Sequence, residues 1–373
     1  MKQVVISGTG LYTPPYSISN EELVTAFNAY AERFNAEHAD AIAAGAVTPI
    51  EGSSAAFIEK ASGIKSRYVM EKEGILDPAH MTARIPERAD EELSLQAEIC
   101  VAAAKDALTR ARRTPADIDM VLVACSNMQR AYPAMAVEVQ EALGIAGFGF
   151  DMNVACSSAT FGIQTAMAAV QTGQARAVLV LNPEITSGHL NFRDRDSHFI
   201  FGDACTAIVI EAADTAVGEH QFEILESKLK TSFSNNIRNN FGFMNRFDEG
   251  GVGQPDKLFR QQGRKVFKEV CPMAAEMIRD TVAAAHVALG DVKRYWLHQA
   301  NLNMNLLITK MLLGRDAEPN EAPVILDTYA NTSSAGSIIA FHKYQDDLPK
   351  GALGVICSFG AGYSIGCVVV RKK

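Results

Sequence analysis

The chain is predicted to be an α/β protein built from two duplicated halves. Two observations carry this expectation. Short β-branched runs alternate with longer alanine-rich segments along the 373 residues, the pattern of sheets layered with helices. One strand–turn–helix–glycine–strand stretch also occurs twice, once around residue 150 and again around residue 326.

The runs VVISGT (4–9), MVLVAC (120–125), AVLVLN (177–182) and TAIVIEA (206–212) read as buried strands. Segments 93–111 and 136–145 carry the apolar spacing and residue types of helices. In the duplicated stretch, FDMNVACSSATFG of the first half aligns with LDTYANTSSAG of the second, which sets Cys156 beside Asn331. Two further pairs support the repeat: residues 115–129 with 289–303, and FGDACTAIVIEAA (201–213) with FGAGYSIGCVVVRKK (359–373). A period of roughly 150–175 residues is too long for a solenoid. The halves are therefore expected at 1–215 and 216–373, with insertions on the first at about 22–56 and 71–92. The first insertion has helical spacing. Either one reads as a wall over a site or as a solvent-exposed excursion.

Composition excludes several functions. With 48% hydrophobic and 21% charged residues, the chain has the balance of a globular protein with a large core. A net charge of −8 argues against non-specific nucleic-acid binding. No apolar stretch approaches the roughly 18 residues of a membrane span, and the opening MKQVVISGTGLYTP reads as a first core strand rather than a signal peptide. Seven cysteines, odd in number and without a CxxC pair, point to reduced thiols in a cytoplasmic protein. Neither they nor the eight histidines show metal-ligand spacing.

Cys156 follows an apolar strand and precedes a helix of small residues. At that junction the helix dipole favours the reactive thiolate, and the small neighbours Ser157, Ser158, Ala159 and Gly162 leave room for a ligand. Locally the residue reads equally well as a buried core cysteine. His298 opens the motif HQANLNM after a strand-like run, and Asn331 sits in YANTSSAGS. Each alone reads as a cap or turn residue. Their placement at the ends of equivalent strands makes three separate accidents a poor explanation.

Together these motifs resemble the β-ketoacyl-acyl-carrier-protein synthase III family over nearly the whole length. ACSSATFG matches its nucleophile motif, HQAN at 298–301 is present letter for letter, and ANTSSAG and SFGAGYSIG match its asparagine motif and C-terminal glycine loop. The resemblance implies the thiolase fold, five αβαβα layers, and a homodimer. It implies a ping-pong acyltransferase of fatty acid biosynthesis: Cys156 takes an acyl group from acyl-coenzyme A, with the backbone N–H groups of Cys156 and Ala361 as oxyanion hole. His298 and Asn331 then stabilise the enolate left when malonyl-acyl carrier protein loses carbon dioxide. No resident cofactor or metal is implied; the coenzyme A thioester and the carrier protein are substrates. A neutral His298, with its pKa lowered, suits two donors facing a developing oxyanion in a dry pocket.

Further positions carry over from the resemblance. Tyr132, Phe161 and Phe201 match acyl-pocket positions, Tyr132 reaching across the dimer. Arg195 and Phe57 match the adenine side of the coenzyme A site, with Phe57 in place of a tryptophan. Gly263 and Arg264 match the pantetheine tunnel, and Lys268 and Lys310 match carrier-protein docking positions. The family also has arginines where this chain has Ala61 and Asn303. These departures suggest a specialised initiator that takes a medium-chain acyl group, octanoyl, rather than acetyl. Two other readings stand beside it: a quinolone- or polyketide-type condensing enzyme, which keeps the same three residues, and a non-catalytic partner subunit, which would usually lose one of them.

Overall fold

The computed structural model describes residues 2–250 and 254–373. The first half opens with β1 (Val4–Tyr12) and a cap made of β2 (Tyr16–Ser19), α1 (Asn20–Glu37), α2 (Ala39–Ala43), α3 (Ala55–Ser62), β3 (Ser66–Val69) and α4 (Glu73–Leu76). It continues through α5 (Leu95–Ala111), β4 (Met120–Ala124), α6 (Met135–Leu143), β5 (Phe148–Met152), α7 (Ser158–Gln171), β6 (Ala177–Glu184) and β7 (Ala204–Ala212). The second half runs β8 (Phe222–Ser234), β9 (Ile237–Arg238), β10 (Arg260–Gln261), α8 (Gly263–Ala284), β11 (Val292–Leu297) and α9 (Leu302–Leu313). It closes with α10 (Leu326–Tyr329), α11 (Ala335–Lys343), β12 (Leu353–Gly360) and β13 (Gly362–Lys372).

Nine strands form one sheet in the order β11-β12-β13-β8-β1-β7-β6-β4-β5. The two halves meet at β1 and β8, where only Val5 and Ile6 pair, with Glu223 and Phe222. Strand orders match across that seam: β1, β7, β6 and β4 lie as β8, β13, β12 and β11 do. Apolar side chains of α7 and α11, such as Ile163 and Ile338, pack between Leu122 and Val180 of one half and Ile356 and Val368 of the other. α5 and α6 cover the outer face of the first half, and α8 and α9 that of the second. The layers are αβαβα. Each fully buried aliphatic side chain in them contributes about 1.5–3 kcal/mol. The helix α5 rides so close to β1 that a Cβ on Gly10 would sit 2.0 Å from the Ala103 carbonyl oxygen.

The first insertion is helical and starts on a capping box: Ser19 Oγ accepts the Glu22 N–H at 3.1 Å, and Glu22 Oε2 accepts the Ser19 N–H at 2.9 Å. Leu23, Phe27 and Ala31 then face a cluster with Ile58, Phe199, Phe201 and Leu326. In this insertion α1 is packed into the cap, whereas α2 buries no residue and stands out as an exposed excursion. The second insertion holds only α4 and irregular backbone, anchored by Ile75 and Met81.

One element differs from expectation. LDTYA, expected as a strand, forms the helical turn α10, and its Asp327 carbonyl accepts the Lys65 N–H of the cap at 3.0 Å instead of a sheet partner. Among the described residues no helix is long and apolar enough to cross a membrane.

Candidate active site

Cys156 lies in a 3-10 turn (Ala155–Ser157) between β5 and α7. Ala155 before it takes a left-handed φ of 47°, held by Asn153 Oδ1, which accepts the Ala155 N–H at 2.9 Å. Ser158 Oγ donates to the Ala155 carbonyl at 2.7 Å. The second half finishes the turn. A Cβ on Gly360 would meet the Cys156 Cβ at 2.6 Å and Sγ at 2.9 Å, so only glycine lets the β12 end pass the thiol.

Burial pushes the Cys156 thiol up to about 11, with the Glu184 charge adding to the rise, while the Ser333 hydroxyl and the N–H groups of Ala361 and Cys156 pull it back. Desolvation thus works against the helix dipole, which favours the thiolate. Both N–H groups lie near the sulfur and suit paired donors to a carbonyl oxygen attached there.

His298 leaves β11 fully buried, its ring edge-on to Phe359 at 5.3 Å. Burial pushes its pKa down to about 4, weakly opposed by the Ser333 backbone. It is a neutral imidazole, and its Nδ1 has no hydrogen-bond partner among the described residues. The rest of HQAN positions it. Gln299 Oε1 accepts the Ile325 N–H at 3.1 Å, and Gln299 Nε2 donates to the Leu297 carbonyl at 2.9 Å. Asn301 caps α9 by accepting the Asn303 N–H and donates to the Ala61 carbonyl at 2.8 Å.

Asn331 follows Ala330, again left-handed at φ 55°, and bridges to Phe201. Its Oδ1 accepts the Ser333 N–H at 2.9 Å. With the oxygen occupied, the amide NH₂ is the end left to donate. Ser333 Oγ lies 3.5 Å from Cys156 Sγ.

Cys156, His298 and Asn331 all line one cavity of about 490 Å³. Its walls are mostly apolar: Phe57, Phe199, Phe201, Phe259, Val266, Phe267, Met304 and Phe359. Gly263 and Arg264 lie on its wall as well. Ile237, Phe259 and Gln261, unremarked in the sequence, also line the cavity. Thiol, backbone N–H groups, neutral imidazole and amide NH₂ facing a mostly apolar cavity are an arrangement that can attack an acyl carbonyl and donate to a developing oxyanion.

The comparisons agree with this chemistry. The family described as 3-oxoacyl-acyl-carrier-protein synthase III matches residues 150–232, and its C-terminal counterpart matches 282–372. The chain is 68% identical to β-ketodecanoyl-acyl-carrier-protein synthase of Pseudomonas aeruginosa over 346 residues, 93% of this chain and 99% of that one. The chain belongs to the β-ketoacyl-acyl-carrier-protein synthase III family. A synthase III of Granulibacter bethesdensis is 30% identical over the full length of both chains. The crystal structure of the Aquifex aeolicus synthase III superposes with a TM-score of 0.76 at 23% identity, covering 99% of each chain, and shows the shared thiolase fold. This synthase is thus an acyltransferase of the condensing type, in a family named for acyl carrier protein.

Several expected site residues of the synthase lie elsewhere. Of the three acyl-pocket residues only Phe201 is on the cavity wall. Tyr132 is 85% exposed in the loop before α6, and Phe161, one turn beyond Cys156 on α7, is half-buried away from the cavity. Phe57 and Arg195 do not form an open slot: the guanidinium sits over the Phe57 ring at 4.4 Å and its Nε donates to the Gly52 carbonyl at 2.8 Å. That spacing leaves no room for a purine between them. Lys268 is exposed on α8, whereas Lys310 is tied to Asp316 at 3.0 Å. Glu184 and Ser333, which the sequence did not single out, are part of the site.

Proposed function

We propose that this synthase loads an eight-carbon acyl group from coenzyme A onto Cys156 and extends it with malonyl-acyl carrier protein to β-ketodecanoyl-acyl carrier protein. The observation that carries this reading is the 68% identity, over 99% of its length, to a relative named for the ten-carbon β-keto product. Decarboxylative extension adds two carbons, so eight come from the primer. A cavity of about 490 Å³ with apolar walls suits such a ligand.

In this reading the Cys156 thiol loses its proton as Sγ attacks the thioester carbonyl, and coenzyme A leaves as its thiol. The N–H groups of Cys156 and Ala361 hold the tetrahedral oxyanion. Malonyl thioester then loses carbon dioxide. His298 and the Asn331 amide donate to the thioester oxygen that takes up the charge, and the enolate carbon attacks the acyl-Cys156 carbonyl, releasing the thiolate. No resident cofactor takes part. Arg260, Arg264, Lys265 and Lys268 stand exposed around the start of α8, beside the cavity, and suit coenzyme A phosphates and the acidic carrier protein.

The active form is a homodimer joined at β5. This edge strand exposes Phe148 and Phe150, and its Asp151 carboxylate accepts the Met135 N–H at 2.7 Å, tying it to the Tyr132 loop. An unpaired apolar edge calls for a partner. A second copy would cover Tyr132 and bring it to the acyl group. Light scattering should give a dimer that Phe150→Asp splits.

The substrate test is intact-mass analysis after incubation with acyl-coenzyme A of two to twelve carbons. Octanoyl should add to the wild type and not to Cys156→Ala. An adduct with acetyl alone would sink the chain-length assignment. Running the second half-reaction with malonyl-acyl carrier protein against malonyl-coenzyme A identifies the extender.

A further inference from the structure

Glu184 ends β6 with 1% of its surface exposed and, among the described residues, no cation as a hydrogen-bond partner. A buried carboxylate without a counter-charge is costly unless its oxygens are fully hydrogen-bonded. Here four donors meet it. Ser126 gives its N–H to Oε1 at 3.1 Å and its hydroxyl to Oε2 at 2.5 Å. Ser334 gives its N–H to Oε1 at 3.1 Å and its hydroxyl to the same oxygen.

The two serines lead to opposite sides of the site. The Ser126 carbonyl accepts Asn153 Nδ2 at 2.8 Å, and Asn153 Oδ1 holds the Ala155 N–H, one residue before Cys156. Ser334 follows Ser333, whose N–H orients the Asn331 amide and whose hydroxyl touches the Cys156 sulfur. One carboxylate therefore ties the turn of the nucleophile to the turn of the donor.

We propose that Glu184 is a positioning residue, setting Cys156 and Asn331 in register so that acyl loading and condensation share one geometry. Its charge cannot serve to activate the thiol, because a negative group beside Cys156 holds the proton on. What remains is geometry: burial raises the Glu184 pKa, the donors of Ser126 and Ser334 oppose the rise, and the carboxylate accepts from both serines at once. Glutamine offers one acceptor oxygen and would present an NH₂ to donors.

The inference rests on the condensing reading above, and alkylation of Cys156 by iodoacetamide separates the two because it needs no acyl donor. In Glu184→Gln the pH midpoint of alkylation should fall, since the opposing charge is gone, while kcat drops on the order of ten- to a hundredfold. Glu184→Asp keeps the charge but is too short to span both serines. Its alkylation midpoint should stay near wild type while kcat still falls. A purely structural role would lower Tm and leave the rates of both variants unchanged at a permissive temperature; that result overturns the proposal. Should the Glu184 variants not fold, Ser126→Ala and Ser334→Ala decide it. The first should slow acyl loading more and the second condensation more, and wild-type rates in both would refute the role.

Discussion

Ala155 and Ala330 stand at equivalent places in the two halves, each left-handed, each one residue before a functional side chain. An L-residue in that region costs about 1–3 kcal/mol, so the surroundings must over-determine it. They do so differently. The Cys156 turn is half-exposed, with Asn153 open to solvent, and the second half pins it through Gly360 and through Ser157 Oγ donating to the Ser364 carbonyl at 2.9 Å. The Asn331 turn is buried from Ala330 to Ser334. The first half pins it: the Asn331 N–H donates to the Ile200 carbonyl, the Gly202 N–H to the Asn331 carbonyl, and Ser334 to Glu184. Each half thus shapes the other half's turn. The nucleophile is left reachable and the donors are locked in place, as a thiol that must meet two successive substrates and an oxyanion site that must not reorganise require.

The largest effect that could break this division comes from removing its chemistry. Cys156→Ala should give no acyl adduct and lose turnover by on the order of 10⁴-fold or more. His298→Ala and Asn331→Ala should keep the adduct and lose about 10²–10³ in condensation. Intact mass measures the first half-reaction and product formation the second. If Asn331→Ala also abolished the adduct, the donor turn would be serving acyl loading as well, and the division would not stand.

A smaller effect sharpens the pinning. In Gly360→Ala the new Cβ meets the Cys156 Cβ and Sγ, and something must shift. Overpacking of this kind costs about 1–3 kcal/mol, and acyl loading should fall with the displaced thiol. Gly336→Ala, on the donor side, brings its Cβ only to 3.2 Å from the Gln299 Cβ. Its loss in Tm should be the lesser of the two, with loading intact. Equal losses would mean that the thiol turn has slack.

The same contrast explains what was legible in the sequence. Cys156, His298 and Asn331 were readable because each sits inside a motif of small or amide residues, Cys156 and His298 just after a strand and Asn331 just after the turn α10. The alternation of strands and helices gave the layers. Glu184 was not readable: it looks like an acid at a loop start until Ser126 and Ser334 approach from 58 and 150 positions away. Phe259 and Ile237 lie in a stretch without periodicity, where only the cap tells which side is inward. α10 was misjudged because the missing strand partner is a property of the assembled sheet. Burial raises the thiol's pKa, a contribution that a dipole argument from one helix does not contain.

The smallest effect concerns pH and the locked side alone. His298 holds a pKa of about 4, as do His189, His198 and His342, all lowered chiefly by burial. An unfolded histidine titrates near 6.5, so between about 6.5 and 4 the unfolded chain binds protons that the fold refuses. Stability on this account is full above about 6.5 and is lost as pH falls toward 4, by about 2 kcal/mol per histidine at pH 5. Asp203, pushed up to about 6 by burial, acts in the opposite sense: it takes its proton in the fold first, and below pH 6 it offsets part of the loss. The contribution of His298 is isolated by urea unfolding of wild type and His298→Gln at pH 7 and pH 5. The variant should lose less stability between the two, because glutamine takes no proton. An equal loss would show that the imidazole is already charged in the fold, and a charged His298 would contradict the neutral donor that the buried turn is built to hold.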